Sequence, residues 1–162
     1  MADQGKTVSI GLSPKDREGV SRLLNVLLAD EYILYTKTRK FHWNVTGSDF
    51  SELHKFFEGQ YESVDNIIDD VAERARSLGA TADGTLKEFI TNSRLKEQPG
   101  RIPDAASMIA NLLADHEAII RDLRGDLETA QSKYHDAGTA DFLTGIMEQH
   151  EKMAWMLRAH LS

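Results

Sequence analysis

One histidine and three carboxylates occur as two spaced pairs in the chain. His54 and Glu58 are four residues apart, and so are Asp69 and Glu73. Residues four apart lie on the same face of an α-helix. The chain contains no cysteine, so any transition metal must be bound by imidazole and carboxylate groups. The spacing therefore indicates a metal site built from nitrogen and oxygen ligands.

The two pairs share a face of one predicted helix but not a position along it. At 100° per residue, all four residues fall within about 100° of one another. Apolar residues occupy the opposite sector: Leu53, Phe56, Phe57, Val64, Ile67, Ile68 and Val71. At a rise of about 1.5 Å per residue, the two pairs are roughly 22 Å apart. One ion cannot bridge that distance.

A symmetric dimer would bring the two pairs together. If the helix packs antiparallel against a second copy across a two-fold axis near residues 63–64, His54 and Glu58 of one chain meet Asp69 and Glu73 of the other. Such an isologous contact makes two equivalent sites. The alternative, a di-iron site within one bundle, uses two Glu-x-x-His motifs, and the sequence contains none.

Four long helices are predicted from apolar residues at helical spacing. The first begins at Pro14 with Ser13 as its cap, and Thr139 is the predicted cap of the fourth. A connection over residues 80–103 carries a short apolar segment, Thr85 to Ile90. The four predicted ranges are 14–42, 49–78, 104–133 and 140–160. Because only the middle connection is long, the layout predicts an all-α, ferritin-like four-helix bundle with a long crossover that carries a short extra helix.

The composition is that of an ordinary globular protein. The 162 residues are 41% apolar and 28% charged, which suits one domain over residues 13–162 preceded by a flexible tail over residues 1–12. We find neither a signal-peptide pattern nor an apolar run that could span a membrane, so the sequence predicts a cytoplasmic protein with no membrane partner. The net charge of −7 argues against bulk attraction to nucleic acid.

A denser pattern surrounds the metal-ligand pairs between residues 41 and 79. It comprises His42-Trp43-Asn44, Gly47, Phe50, Leu53-His54, Glu58, Asp69 and Ala72-Glu73-Arg74. These residues at this spacing resemble the signature of the Dps proteins, the small ferritins of bacteria and archaea. The chain length, the four-helix layout and the short crossover helix extend the resemblance over nearly the whole chain.

The resemblance implies a ferroxidase centre shared between two subunits. His42, His54 and Glu58 would come from one subunit, and Asp69 and Glu73 from its mate. It further implies a hollow dodecamer that oxidises Fe(II) to Fe(III), preferably with hydrogen peroxide, stores the ferric mineral and protects the cell from oxidative stress. Zn(II) could compete for such ligands. The family usually has Asp where this chain has Glu58, which adds one methylene to the reach of that ligand.

Several further residues have two interpretations. Family position puts Trp43 beside the iron site, where it would supply an electron or protect the mineral from radicals, whereas it could equally anchor the end of the first helix. Glu62 and Asp65 are either mineral-nucleating or simply solvated. Acidic pores on a three-fold axis would be lined by Asp136, Asp141 and Glu148, although the start of a helix explains the first two nearly as well. Structural or surface roles are predicted for the remaining histidines: His116, His135, His150 and His160.

The alternative function is a DNA-binding, nucleoid-protecting particle with incidental iron uptake. Some Dps relatives bind DNA through basic tails, whereas the N-terminal segment here has only Lys6, offset by Asp3, and the sequence ends at Ser162. Contact with phosphate needs basic groups, so the sequence predicts weak or absent DNA binding. A purely structural helical bundle would leave the aligned ligands unexplained.

Overall fold

The computed structural model describes residues 7–162, in which five helices and no strands occur. The helices are α1 (Pro14–Asn44), α2 (Phe50–Ser77), α3 (Leu86–Asn92), α4 (Ala105–Ser132) and α5 (Ala137–Ala159). Two helix pairs, α1 with α2 and α4 with α5, make most of the contacts, and α1 also packs against α3 and α4. The predicted all-helical bundle with a short helix in its long crossover is confirmed. No helix in the described range is long and apolar enough to cross a membrane.

Side-chain capping explains where the first and the last long helices begin. The Ser13 side chain accepts a hydrogen bond from the backbone N–H of Asp16 at 3.1 Å, and Pro14 occupies the first turn, as predicted. The prediction for the fourth long helix was wrong, because Asp136, not Thr139, is its cap. The Asp136 carboxylate accepts from the Thr139 backbone at 2.9 Å, so α5 begins three residues earlier than predicted and includes Gly138.

The apolar segment in the crossover is a helix because a capping box starts it. The Thr85 hydroxyl accepts from the backbone N–H of Glu88 at 3.3 Å, and the Glu88 carboxylate accepts from the backbone of Thr85 at 2.9 Å. The Glu88 carboxylate also accepts from the Thr85 hydroxyl at 2.8 Å, and this bond, followed by those from the backbone N–H groups of Thr85 and Gly84, lowers the pKa of Glu88. Phe89 is buried and stacks on Tyr32 at a ring-centroid distance of 4.3 Å. This stacking attaches α3 to α1.

Arg94 holds the rest of the crossover against the bundle. Its Nε lies 2.7 Å from Asp30 of α1 and 3.3 Å from Asp122 of α4, and its Nη1 lies 3.0 Å from Asp126. Asp30 is fully buried and also accepts from the Arg94 backbone and the Ser93 hydroxyl. A buried carboxylate needs such partners. The crossover is therefore fixed by a charged network rather than by apolar packing alone.

The predicted tail lies only partly in the described residues. Residues 1–6 are outside them, and residues 7–12 form no helix. Leu12 nevertheless packs against the core, and Val8 lies beside Gly79, where a Cβ atom would come within 2.6 Å of its side chain. Gly79 has a φ of 84°, a conformation that glycine adopts without steric cost. The last part of the predicted tail thus contacts the end of α2.

A second glycine makes room for an aromatic ring inside the bundle. A Cβ atom at Gly19 would overlap the ring of Tyr134, whereas one at Gly125, also helical, would meet nothing. We expect Gly19→Ala to destabilise the protein, because overpacking costs about 1–3 kcal/mol and outweighs a helix-propensity gain of up to about 1 kcal/mol. The matched Gly125→Ala change should raise the melting temperature. Equal increases in both variants would contradict the packing role of Gly19.

Polar side chains meet at the centre of the apolar core. Glu31 of α1, His116 of α4 and His150 of α5, here called the core triad, are each 0% exposed. His150 Nε2 lies 2.8 Å from Glu31 Oε1, and His150 Nδ1 lies 2.9 Å from His116 Nδ1. A carboxylate only accepts, so Nε2 of His150 carries a proton. Only one of the two facing Nδ1 atoms can carry a proton, so one of these imidazoles donates to the other. The structural role predicted for His116 and His150 fits this arrangement.

The core triad should make stability fall in mild acid. Complete burial, followed by the nearness of His150, lowers the pKa of His116 well below its usual 6.5. The unfolded chain therefore binds a proton below pH 6.5 that the folded chain excludes, and stability is lost as the pH falls from 6.5 towards the lowered value. We expect this residue to contribute a slope of up to about 1.4 kcal/mol per pH unit.

Urea unfolding of wild type and His116→Leu between pH 5 and 7 would test this dependence, with pH 5–7 chosen as roughly the range in which histidine titrates. The variant should show a shallower decline, since it has no imidazole to protonate in the unfolded state. Parallel declines in the two proteins would show that other groups account for the acid sensitivity.

Candidate metal centre

A short turn between α1 and α2 brings two predicted ligands together. His42 lies in the last turn of α1 and His54 near the start of α2. Gly47 in the turn has a φ of 116°, which strongly favours glycine. Because the two helices run antiparallel from this turn, His42 and His54 face each other across the helix pair.

The two histidines hold each other by reciprocal hydrogen bonds. His42 Nδ1 lies 2.7 Å from the carbonyl oxygen of His54, and His54 Nδ1 lies 2.8 Å from the carbonyl oxygen of His42. The rings stack at a centroid distance of 3.8 Å with an angle of 19° between their planes. A carbonyl oxygen only accepts, so both Nδ1 atoms carry the proton. In the neutral imidazoles each Nε2 then has a free lone pair, which is how metal-binding histidines are usually prepared.

Glu58 lies one turn beyond His54 on α2. Its Oε1 is 3.5 Å from the hydroxyl of Tyr61, and the ring of Tyr61 meets His42 edge-on at 5.3 Å. His42 is 7% exposed, and Glu58 and His54 are half-buried. We call His42, His54 and Glu58 the histidine half-site. Two imidazoles and a carboxylate suit Fe(II) but leave further coordination positions to be filled.

The remaining predicted ligands lie at the other end of α2. Asp69 and Glu73, here called the carboxylate half-site, are both exposed. Because α2 is continuous from Phe50 to Ser77, they remain roughly 22 Å from the histidine half-site at about 1.5 Å per residue. Across residues 7–162 no group of three His, Asp or Glu side chains, the histidine half-site included, is by itself arranged to hold a metal ion. Glu62 and Asp65 are exposed on α2 between the two half-sites.

An aromatic cluster around Arg39, which the sequence did not reveal, adjoins the histidine half-site through Tyr61. The guanidinium of Arg39 lies 5.2 Å from the ring of Trp43, 5.1 Å from Tyr61 and 5.6 Å from Tyr35. It also donates to the Tyr35 hydroxyl at 2.7 Å, which is the main cause of the raised pKa of Arg39. Burial and then the charge of Glu58 raise the pKa of Tyr61. The only signal in the sequence was the spacing of four between residues 35, 39 and 43.

The three predicted pore residues have different environments. Asp136 is 4% exposed, and its carboxylate is already bound to the Thr139 hydroxyl and, at 3.4 Å, to Arg74. These bonds give Asp136 a structural role at the start of α5. Asp141 and Glu148 are exposed on α5. Pore lining stays a prediction for all three residues.

Comparison with known proteins identifies the family. The ferritin-like domain family matches residues 21–162. An uncharacterized low temperature-induced protein of Nostoc sp. is 47% identical over 154 residues, which is 95% of this chain and 86% of the relative. DNA protection during starvation protein 2 of Bacillus anthracis is 37% identical over 143 residues, covering 88% of this chain and 97% of the relative.

Solved structures agree with this assignment. DpsC from Streptomyces coelicolor superposes with a TM-score of 0.92 at 30% identity, covering 97% of this chain and 91% of that one. The Dps protein of Vibrio cholerae O1, described as a member of a broad superfamily of ferritin-like diiron-carboxylate proteins, gives 0.89 at 31% identity, covering 97% and 98%. The chain therefore belongs to the Dps proteins of the ferritin-like family.

Proposed function

We propose that this Dps protein oxidises Fe(II) to Fe(III) at two equivalent centres in each symmetric dimer. Each centre would combine the histidine half-site of one copy with the carboxylate half-site of the other. The observation that carries this proposal is the reciprocal hydrogen bonding of His42 and His54. It leaves two Nε2 lone pairs ready for a metal, while the same chain has no cluster within residues 7–162 that could complete the coordination.

Together the two ligand types suit both oxidation states of iron. Neutral imidazole binds Fe(II) well, and carboxylates suit both Fe(II) and the harder Fe(III) product. Glu58 and the two carboxylates of the second copy would offset the positive charge that oxidation adds. Reliance on exposed Asp69 and Glu73 also makes iron binding conditional on assembly, since an isolated chain offers only half of each centre.

We further propose that hydrogen peroxide is the preferred oxidant and that the ferric product is stored as mineral inside a hollow dodecamer in the cytoplasm. Two Fe(II) ions reduce one peroxide to two hydroxide ions, so the reaction removes both reactants that would otherwise generate hydroxyl radicals. The names of relatives, including a general stress protein of Bacillus subtilis, support a protective role. Zn(II), which accepts the same imidazole and carboxylate ligands, would act as an inhibitor.

Stopped-flow spectroscopy would test this function. Protein loaded with Fe(II) under anaerobic conditions is mixed either with peroxide or with an oxygenated buffer. We expect Fe(III) absorbance to rise faster with peroxide than with oxygen, and both rates to fall after preincubation with Zn(II). Size-exclusion chromatography with light scattering on the same sample should give the mass of twelve chains. Oxidation no faster than in protein-free buffer would refute the ferroxidase proposal.

DNA binding should be weak or absent despite the names of the relatives. The net charge of −7 per chain adds up in any oligomer, and phosphate contacts need clustered Lys or Arg. We expect no shift of duplex DNA in a gel at about 150 mM salt and neutral pH. A clear shift there, abolished by higher salt, would favour the nucleoid-protecting alternative.

A further inference from the structure

An open groove runs between α2 and α5, two helices that make few contacts with each other. Most of the packing in the bundle lies instead within the pairs α1 with α2 and α4 with α5. The groove has a volume of about 480 Å³, within the range of about 300–1,000 Å³ that is usual for small-molecule sites. No residue of either half-site lines it. The groove therefore has the size of a ligand site and lies outside the candidate metal centre.

Two rows of residues from α2 form one wall of the groove. Lys55 and Gly59 are four residues apart, as are Phe56 and Gln60, so each pair shares a helix face. Lys55 and Gly59 are exposed, whereas Gln60 is buried. Gly59 adds no side chain, and a Cβ atom at this position would meet nothing within 4 Å. The wall is therefore open beside Gly59 and leads inward to Gln60.

The floor of the groove contains a buried polar atom without a partner. Gln60 is 4% exposed, and its Oε1 has no hydrogen-bond partner in the part of the chain that the structure describes. Met153 of α5, which is also buried, lines the same groove and has no hydrogen to donate. Buried polar groups are nearly always hydrogen-bonded. The groove thus presents an acceptor that a donor entering from outside would satisfy.

The rim of the groove is positively charged although the protein is acidic. Lys55 of α2 and Lys152 of α5 line it, and no carboxylate does. Among residues 7–162 neither lysine has an ion-pair partner. Because the net charge of the chain is −7, an anion is attracted to this rim more than to a surface that is acidic on average.

We propose that the groove binds a small amphipathic anion that carries a hydroxyl group. Its carboxylate or phosphate group pairs with Lys55 and Lys152. Its apolar body packs on Phe56 and Met153, and its hydroxyl donates to Oε1 of Gln60. Such a ligand joins α2 to α5 and stabilises the folded protein when it binds. The inference goes beyond the proposed oxidation of iron and requires no metal.

Isothermal titration calorimetry on the assembled, iron-free protein would measure the binding. The probe para-hydroxyphenylacetate combines a carboxylate, an apolar ring and a hydroxyl group. Phenylacetate lacks the hydroxyl, tyrosol lacks the carboxylate, and inorganic phosphate lacks the apolar body. We expect para-hydroxyphenylacetate to bind more tightly than the other three probes. Its binding should be lost in Gly59→Phe, because the new ring occupies the groove.

Substitutions in the groove would assign each contact. Lys55→Gln/Lys152→Gln should weaken para-hydroxyphenylacetate binding roughly tenfold, because two ion pairs are lost. The matched control is Lys15→Gln/Lys87→Gln, which removes the same charge from two exposed lysines outside the groove and should keep the wild-type affinity. Gln60→Met should abolish the preference for para-hydroxyphenylacetate over phenylacetate and leave phenylacetate binding unchanged. Thermal melting would verify that each variant is folded.

Four results would each overturn the inference. They are no heat of binding with para-hydroxyphenylacetate, unchanged binding in folded Gly59→Phe, equal affinity for inorganic phosphate, and a hydroxyl preference that persists in Gln60→Met. No iron is present in these titrations, so none of these results bears on the oxidation of Fe(II). A protein that fails to oxidise iron could still bind the probe, and the two failures are therefore distinguishable.

Discussion

The double variant His42→Ala/His54→Ala should oxidise Fe(II) with peroxide no faster than protein-free buffer. Both imidazoles present a free Nε2 because each Nδ1 donates to a backbone carbonyl. Loss of a residue that merely orients a ligand typically costs 10–100-fold in affinity or activity, so loss of both imidazole ligands should cost at least about 100-fold. Stopped-flow Fe(III) absorbance at equal chain concentration would measure the loss.

Single variants should retain part of the activity. The acceptors in the histidine half-site are backbone carbonyls, which remain when either side chain is removed. His42→Ala therefore leaves His54 with its Nδ1 partner, and the converse also holds. His135 and His160, both exposed, provide a control. His135→Asn suits a residue with a φ of 56°, and combined with His160→Ala it should leave the rate unchanged. An unchanged rate in His42→Ala/His54→Ala would refute the site.

The largest loss of stability should come from His150→Leu in the core triad. Glu31 would then keep a carboxylate that is 0% exposed and has no partner, since its Oε2 is already unpaired within the described residues. Breaking a buried ion pair or charged hydrogen bond from one side typically costs about 3–5 kcal/mol. Urea unfolding at fixed protein concentration should show this loss as a lower midpoint.

Replacing all three residues of the core triad should reduce stability less than replacing His150 alone. Leucine at all of positions 31, 116 and 150 eliminates the buried polar atoms together, and apolar replacement of buried polar groups of similar shape is often close to neutral. The triple variant should therefore be more stable than His150→Leu. If both variants lost equal stability, packing volume rather than unpaired charge would be the cause.

Features determined by neighbouring residues could be predicted from the sequence. The start of α1 follows from Ser13-Pro14, and the separation of the two half-sites follows from the rise of a single helix. The start of α5 was missed because Gly138 looked like a break, whereas Asp136 caps the helix upstream of it. A glycine in the first turn of a helix is tolerated when a good cap precedes it.

Features determined by packing between distant residues could not be predicted in this way. Helical arithmetic on α2 says nothing about His42, which entered only through the family resemblance. Tyr61 lies between the polar and apolar faces of α2, so its contact with His42 of α1 depends on how α1 and α2 cross. The core triad joins residues up to 119 positions apart, and no local pattern connects them.

Mixing two inactive chains gives the most direct test of a centre shared between copies. One chain carries His42→Ala/His54→Ala and the other Asp69→Ala/Glu73→Ala, and the two are co-expressed in equal amounts. In a mixed dimer one centre lacks the four substituted ligands and keeps only Glu58, while the other centre is intact. Random pairing with two-fold symmetry should therefore restore about one quarter of the wild-type rate. A rate no higher than that of either parent would contradict a centre built from two copies.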